Sequence, residues 1–135
     1  MMKNRFNTLL AIIFSVFWAM PFAQAMSLGT INVNSALNEP LDAEIPVYST
    51  DAGEILNAYI ALASLDVHKQ AGIELNNSLS KISFRAVQKV GGKFVIQLKT
   101  RRPIREPVLE FIIEVSGGAG YLRRGYAIHL DPPAL

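Results

Sequence analysis

The chain offers few side chains for covalent or metal chemistry. It has two histidines and no cysteine. A metal site or a nucleophile–base pair built on His68 or His129 would need partners that the sequence does not place. Both read as surface or structural histidines. Gly117-Gly118-Ala119-Gly120 has the composition of a phosphate-cradling loop, but such loops lead into a helix N-terminus. The segment that follows alternates like a strand, so a glycine-rich hairpin turn is expected. Glu110 and Glu114 would lie on one face of a strand, roughly 13 Å apart at about 3.3 Å per residue. That exceeds the separation of about 5–9.5 Å that glycosidase carboxylates use. They are expected on a solvated face, opposite Arg123 or Arg124 on the next strand. Arg101, Arg102 and Arg105, with Glu106, form the one local basic cluster. It reads as ordinary surface ion pairing, with a clamp for an anionic glycan, a lipid headgroup or an acidic partner as the alternative. No enzyme activity, cofactor or metal follows from these residues.

The elements that carry these side chains are mostly strands. From Gly29 onward, hydrophobic residues recur at every second position, broken by turn residues. Ile31 and Val33 form one such set, and Ala43, Ile45 and Val47 another, where Pro46 suits an edge strand or a bulge. Ile82, Phe84 and Ala86 are separated from Phe94, Ile96 and Leu98 by Gly91-Gly92, a two-residue signal for a type I′ hairpin. Leu109, Phe111, Ile113 and Val115 share a face, as do Tyr126, Ile128 and Leu130, and Pro132-Pro133 ends the last strand. Residues 55 to 63 fit a buried strand or a helical stripe, and the strand is preferred. Ser64 then caps a short helix from Leu65 to Ala71, with Asp66 in its first turn and Gly72 at its stop. Six or seven short strands and one short helix predict a mostly β protein, a two-sheet antiparallel β-sandwich of immunoglobulin-like size.

Residues 1 to 25 have the layout of a secretory signal peptide. Lys3 and Arg5 make the positive n-region. Leu9–Met20 is an uncharged apolar run, shorter than the roughly 20 residues that span a bilayer. Ala23-Gln24-Ala25 supplies the small residues of a cleavage site, placing the cut between Ala25 and Met26. The domain then occupies residues 26 to 135, in the periplasm, with no transmembrane segment in the mature chain. The net charge of the 135-residue chain is +2. Losing Lys3 and Arg5 brings it to neutrality, which removes the electrostatic case for a nucleic-acid partner. Stability must come from packing, since no disulfide is possible.

Four blocks, read in order, carry a resemblance. They are Leu28-Gly29 running into Ser35-Ala36-Leu37-Asn38-Glu39-Pro40-Leu41-Asp42-Ala43-Glu44-Ile45; then Leu62-Ala63 with Ala71-Gly72-Ile73; then Arg102-Pro103-Ile104-Arg105-Glu106-Pro107 with Leu109, Phe111 and Glu114; and finally Leu122, Arg124, Tyr126 and Leu130-Asp131-Pro132-Pro133. Together the chain resembles the N-terminal periplasmic domain of the FimV/HubP/TspA family of bacterial envelope proteins. The resemblance implies a non-enzymatic scaffold or interaction module tied to type IV pilus assembly, secretion or cell-pole organisation, with an envelope protein as partner. The family's LysM module is not found in this chain, so peptidoglycan binding is not expected. The loops around Asn38 to Glu44 and Arg101 to Glu106 are the expected contact regions, with Asn38, Glu44, Arg102, Arg105, Glu106 and Arg124 as candidate residues. The sequence departs from the family pattern at Gly117, Gly125 and Ala127, where a tryptophan, an acidic residue and a threonine are usual.

Overall fold

The computed structural model describes residues 26–49, 51–117 and 120–133. The expected leader, Ala25 included, and the centre of the expected Gly117–Gly120 turn lie outside the described residues. Strands β1 (Ser27–Leu28), β2 (Asn32–Val33), β3 (Pro40–Tyr48), β5 (Ser83–Gln88) and β6 (Phe94–Pro103) form one antiparallel sheet. In it β3 pairs with β1, β2 and β6, and β6 pairs with β5. Strands β4 (Tyr59–Leu62), β7 (Val108–Gly117) and β8 (Gly120–His129) form the second sheet, with β7 at its centre. Alternation decides which side chains meet between the sheets. Leu41, Ala43, Ile45 and Val47 of β3, with Ile96 and Leu98 of β6, face Leu109, Phe111, Ile113 and Val115 of β7 and Tyr126 and Ile128 of β8 in one buried core. The expected β-sandwich is therefore the fold.

Three local features differ from the sequence-based expectation. The preferred strand over residues 55 to 63 is instead helix α1 (Ala52–Leu56) followed by the shorter β4. Asp51 starts that helix: its carboxylate accepts from the Gly53 and Glu54 amides at 3.0 and 3.3 Å, satisfying N–H groups that an extended chain would not present together. Ser64 caps α2 (Leu65–Gln70) as expected, accepting from the Val67 amide at 3.3 Å, so the described residues hold two short α-helices where one was expected. A 3-10 turn, Leu79–Lys81, precedes β5.

The β5–β6 hairpin also differs in detail. Gly91 and Gly92 both adopt positive φ, +94° and +82°, as their identity demanded. The closing pair is Lys89 with Lys93, and the Gly92 amide bonds the Lys89 carbonyl at 3.1 Å. The loop is therefore Val90–Gly92, not a two-residue type I′ turn.

Pro46, finally, does not sit on an edge strand. β3 is flanked on both sides, but Pro46 faces the break between β1 and β2, and the bulge of this strand lies between Pro40 and Asp42. The Gly29 amide donates to the Pro46 carbonyl at 2.8 Å. A residue with an N–H would answer by donating back to the Gly29 carbonyl. Proline has none, and the Tyr126 hydroxyl of β8 donates to that carbonyl instead, at 2.9 Å.

Candidate interaction surface

One end of the sandwich gathers segments distant in sequence. A turn over Ala36–Glu39 places Asn38 at φ +67°, a left-handed conformation that asparagine tolerates better than most residues. The Asn38 amide donates to the Ile104 carbonyl at 2.8 Å, and the Ile104 amide donates to the Glu39 carbonyl at 3.0 Å. The Leu37 amide reaches the Asp131 carbonyl at 2.7 Å, and the Leu130 amide the Pro107 carbonyl at 2.8 Å. Thr100, nearly buried, joins the same end: its hydroxyl accepts from the Leu41 amide and donates to the Arg102 carbonyl, both at 2.8 Å. The first, third and fourth blocks of the sequence pattern are thus interlocked through their backbones, which fixes the loop between β6 and β7 without any help from its charged side chains.

A cleft of about 390 Å³ at this end is lined by Ser78, Lys81, Thr100, Arg102, Arg105 and Glu106. Its size falls in the range of roughly 300–1,000 Å³ typical of small-ligand sites. Among the described residues the ion pairing expected of this cluster does not occur. Among the described residues, the ion pairs within 4.0 Å are Lys89–Glu44 and Arg123–Glu114. Arg102 and Arg105 have no carboxylate partner there. Glu106 instead takes the Ser78 hydroxyl, which lies 2.9 and 2.8 Å from its two oxygens.

The other candidates lie elsewhere. Glu44 is on the outer face of the β1–β3–β6–β5 sheet, paired with Lys89 at 2.5 Å beside a hollow of about 560 Å³ that also takes in Pro46, Tyr48 and Val95. Arg124 is consumed structurally: its guanidinium donates to the Leu28 carbonyl and stacks over the Tyr126 ring, 5.0 Å from the centroid. Asn38, Arg102, Arg105 and Glu106 therefore share one end of the domain, while Glu44 and Arg124 do not belong to it.

The second sheet resolves the remaining chemical candidates. Glu114 stands opposite Arg123 in register and pairs with it at 2.9 Å, the first of the two arginines expected there. Arg123 also donates to the Tyr121 hydroxyl at 3.1 Å. The Tyr121 hydroxyl and the adjacent guanidinium hold the Glu114 carboxyl below its ordinary value, and the carboxylate in turn raises the Tyr121 phenol. His68 is fully buried. Its Nε2 accepts from the Ile112 amide and its Nδ1 donates to the Ser64 carbonyl, both at 2.9 Å, which fixes a neutral Nδ1–H tautomer. The ring takes over the β7 amide just beyond the end of β4, where no strand remains to bond it. This is a structural histidine; His129 is exposed at the end of β8.

Gly117 pairs directly with Gly120, strand to strand, so no helix follows the glycines. A Cβ at Gly117 would meet Glu54 of α1 at an ordinary 3.5 Å, so a larger side chain there would lie over that helix. Sequence reasoning missed Ser78, Lys81 and Thr100 as cleft residues. Thr100 continues the inward alternation of Ile96 and Leu98 and could have been placed; nothing in the order of residues brings Ser78 and Lys81 to the same end. Among the described residues no group of three or more His, Asp or Glu side chains could hold a metal ion, and no helix is long and apolar enough to cross a membrane.

Comparison with known proteins agrees with this architecture. The chain is 39% identical over 114 residues to the motility hub protein FimV of Pseudomonas aeruginosa, in strains PAO1 and UCBPP-PA14 alike. The alignment covers 82% of this chain but only 12% of those relatives. No solved structure matches the chain. The family model of the FimV N-terminal domain, an Ig-like domain, matches residues 26–133, and the chain belongs to that family.

Proposed function

We propose that this domain is a non-enzymatic docking module of the cell envelope, exported by its leader to the periplasm, which contributes to the assembly of a motility or pilus apparatus by holding an envelope protein. One observation carries the reading: 39% identity, over 82% of the chain, to a protein named for its place in motility. The way the fold uses its residues supports it. Three of the four sequence blocks that carry the resemblance lock together one end of the sandwich, and an end held so firmly by its backbone can present loops without reordering them on binding. Recognition through loops needs no reactive side chain.

The test is site-directed photocrosslinking of the full chain expressed with its leader in its native host. Photoreactive residues at Asn38 and Arg105 are expected to give an adduct with one envelope protein of the motility apparatus, and the same residue at Val90, on the opposite hairpin, none. N-terminal sequencing of the exported protein is expected to begin at Met26. Adducts of equal yield at all three positions, or none at the first two, would overturn the reading.

A further inference from the structure

The cleft between the end of β6, the β6–β7 loop and the 3-10 turn carries an electrostatic imbalance that the fold does not resolve. Lys81, Arg102 and Arg105 line one concavity, and Glu106, the only carboxylate among the described residues that line it, is engaged by Ser78. Like charges brought together in a recess repel one another and concentrate a positive potential there. The backbone of this loop is held by Asn38, Glu39, Thr100 and Leu130, so the arginines are not needed to shape it. At the hollow beside Glu44, by contrast, that carboxylate is paired with a cation, Lys89.

We infer that this cleft binds a small polyhydroxylated anion, one sugar in size, bearing a carboxylate or phosphate group. The arginines are suited to the oxyanion, because a guanidinium offers paired donors that match its oxygens. Glu106 selects for the rest of the ligand. A carboxylate has about four acceptor positions, of which the single Ser78 proton fills only one. It repels a bare anion or an acidic peptide and accepts hydrogen bonds from hydroxyl groups. Cations and a carboxylate lining one cleft therefore favour a molecule that is anionic at one end and rich in hydroxyls at the other. The inference stands on the cleft alone and does not depend on the docking role.

Two-dimensional NMR titration of the full-length mature protein tests it, with glucuronate, glucose 6-phosphate, inorganic phosphate, glucose and a tetraglutamate peptide as probes. Glucuronate, glucose 6-phosphate or both are expected to shift the amides of Ser78–Ile82 and Thr100–Glu106 saturably. The tighter of the two identifies carboxylated or phosphorylated sugar as the source. Inorganic phosphate is expected to bind about tenfold more weakly, and glucose not detectably. The double variant Arg102→Ala/Arg105→Ala should lose binding by at least tenfold while keeping the amide dispersion of a folded protein. Glu106→Ala should abolish the preference for the sugar anion over inorganic phosphate. Absence of localised shifts with both sugar anions, binding by glucose of equal strength, tighter binding of tetraglutamate, or retention of binding in the double arginine variant would each overturn the inference.

Discussion

Arginines stand both where β6 runs into the β6–β7 loop and on strand β8, and the two regions use them in opposite ways. On β8, Arg123 is neutralised by the carboxylate directly across the ladder, and Arg124 is spent on the Leu28 carbonyl and the Tyr126 ring. At the end of β6 and on the loop after it, Arg102 and Arg105 find no carboxylate among the described residues, and the nearby Glu106 turns to Ser78. The difference is one of geometry, not of residue type. Strand register sets an opposite charge at a fixed distance on the same face, whereas the irregular end of β6 and a loop pinned through its backbone leave their side chains unassigned. Charge that the fold consumes belongs to stability; charge that it leaves over is available to a ligand.

That contrast can be broken by substitutions on the second-sheet side, at polar groups that have a structural duty. The largest effect is expected for His68→Ala. It strands the buried Ile112 amide and opens a void, and an orphaned buried donor costs about 1–3 kcal/mol. Urea unfolding should show a lower midpoint at unchanged slope. A change below about 0.5 kcal/mol would mean that water or a neighbouring strand replaces the ring. Next comes Tyr126→Phe, which keeps the packing against Phe111, whose ring centroid lies 6.1 Å away, and removes only the donor to the Gly29 carbonyl. A loss of about 1 kcal/mol is expected in the same experiment.

The smallest effect belongs to Arg123→Ala, because exposed ion pairs contribute about 0.2–1 kcal/mol. Its sign with pH is specific. Glu114 has its pKa lowered by Tyr121 and Arg123 from 4.5. The stabilisation is therefore present above about pH 4.5 and is lost as the pH falls further, through the folded-state value. Stability curves of wild type and variant should converge as the pH drops below 4.5. A gap that persists in strong acid would show that Arg123 acts through packing on Tyr121 and not through charge.

Much of this was readable from residue order because period-two alternation is a direct statement about faces. Leu109, Phe111, Ile113 and Val115 had to share the core, and once β7 and β8 were recognised as a hairpin, Glu114 had to meet an arginine. α1 was harder: Ile55, Leu56, Tyr59 and Ile60 suit either periodicity, and the choice turned on the Asp51 cap, a contact involving two backbone amides and one carboxylate. His68 was identified as belonging to the short helix but its buried role was not legible, since the β7 amide it satisfies is forty-four positions away. The cleft was half visible. Arg102, Arg105 and Glu106 are consecutive enough to attract notice, but the diversion of Glu106 to Ser78, which leaves the arginines unpaired, depends on the 3-10 turn arriving at the same end of the sandwich.

The proline in β3 has a further meaning when read as inheritance. Pro46 leaves a carbonyl on Gly29 without its usual donor, and a tyrosine on the opposite sheet supplies one. Neither residue explains itself alone. A lineage that replaced Pro46 with a residue bearing an amide proton would make the Tyr126 hydroxyl redundant, and one that lost the hydroxyl first would carry an unmet acceptor until position 46 changed. Positions 46 and 126 are thus expected to drift as a pair, one recording the history of the other.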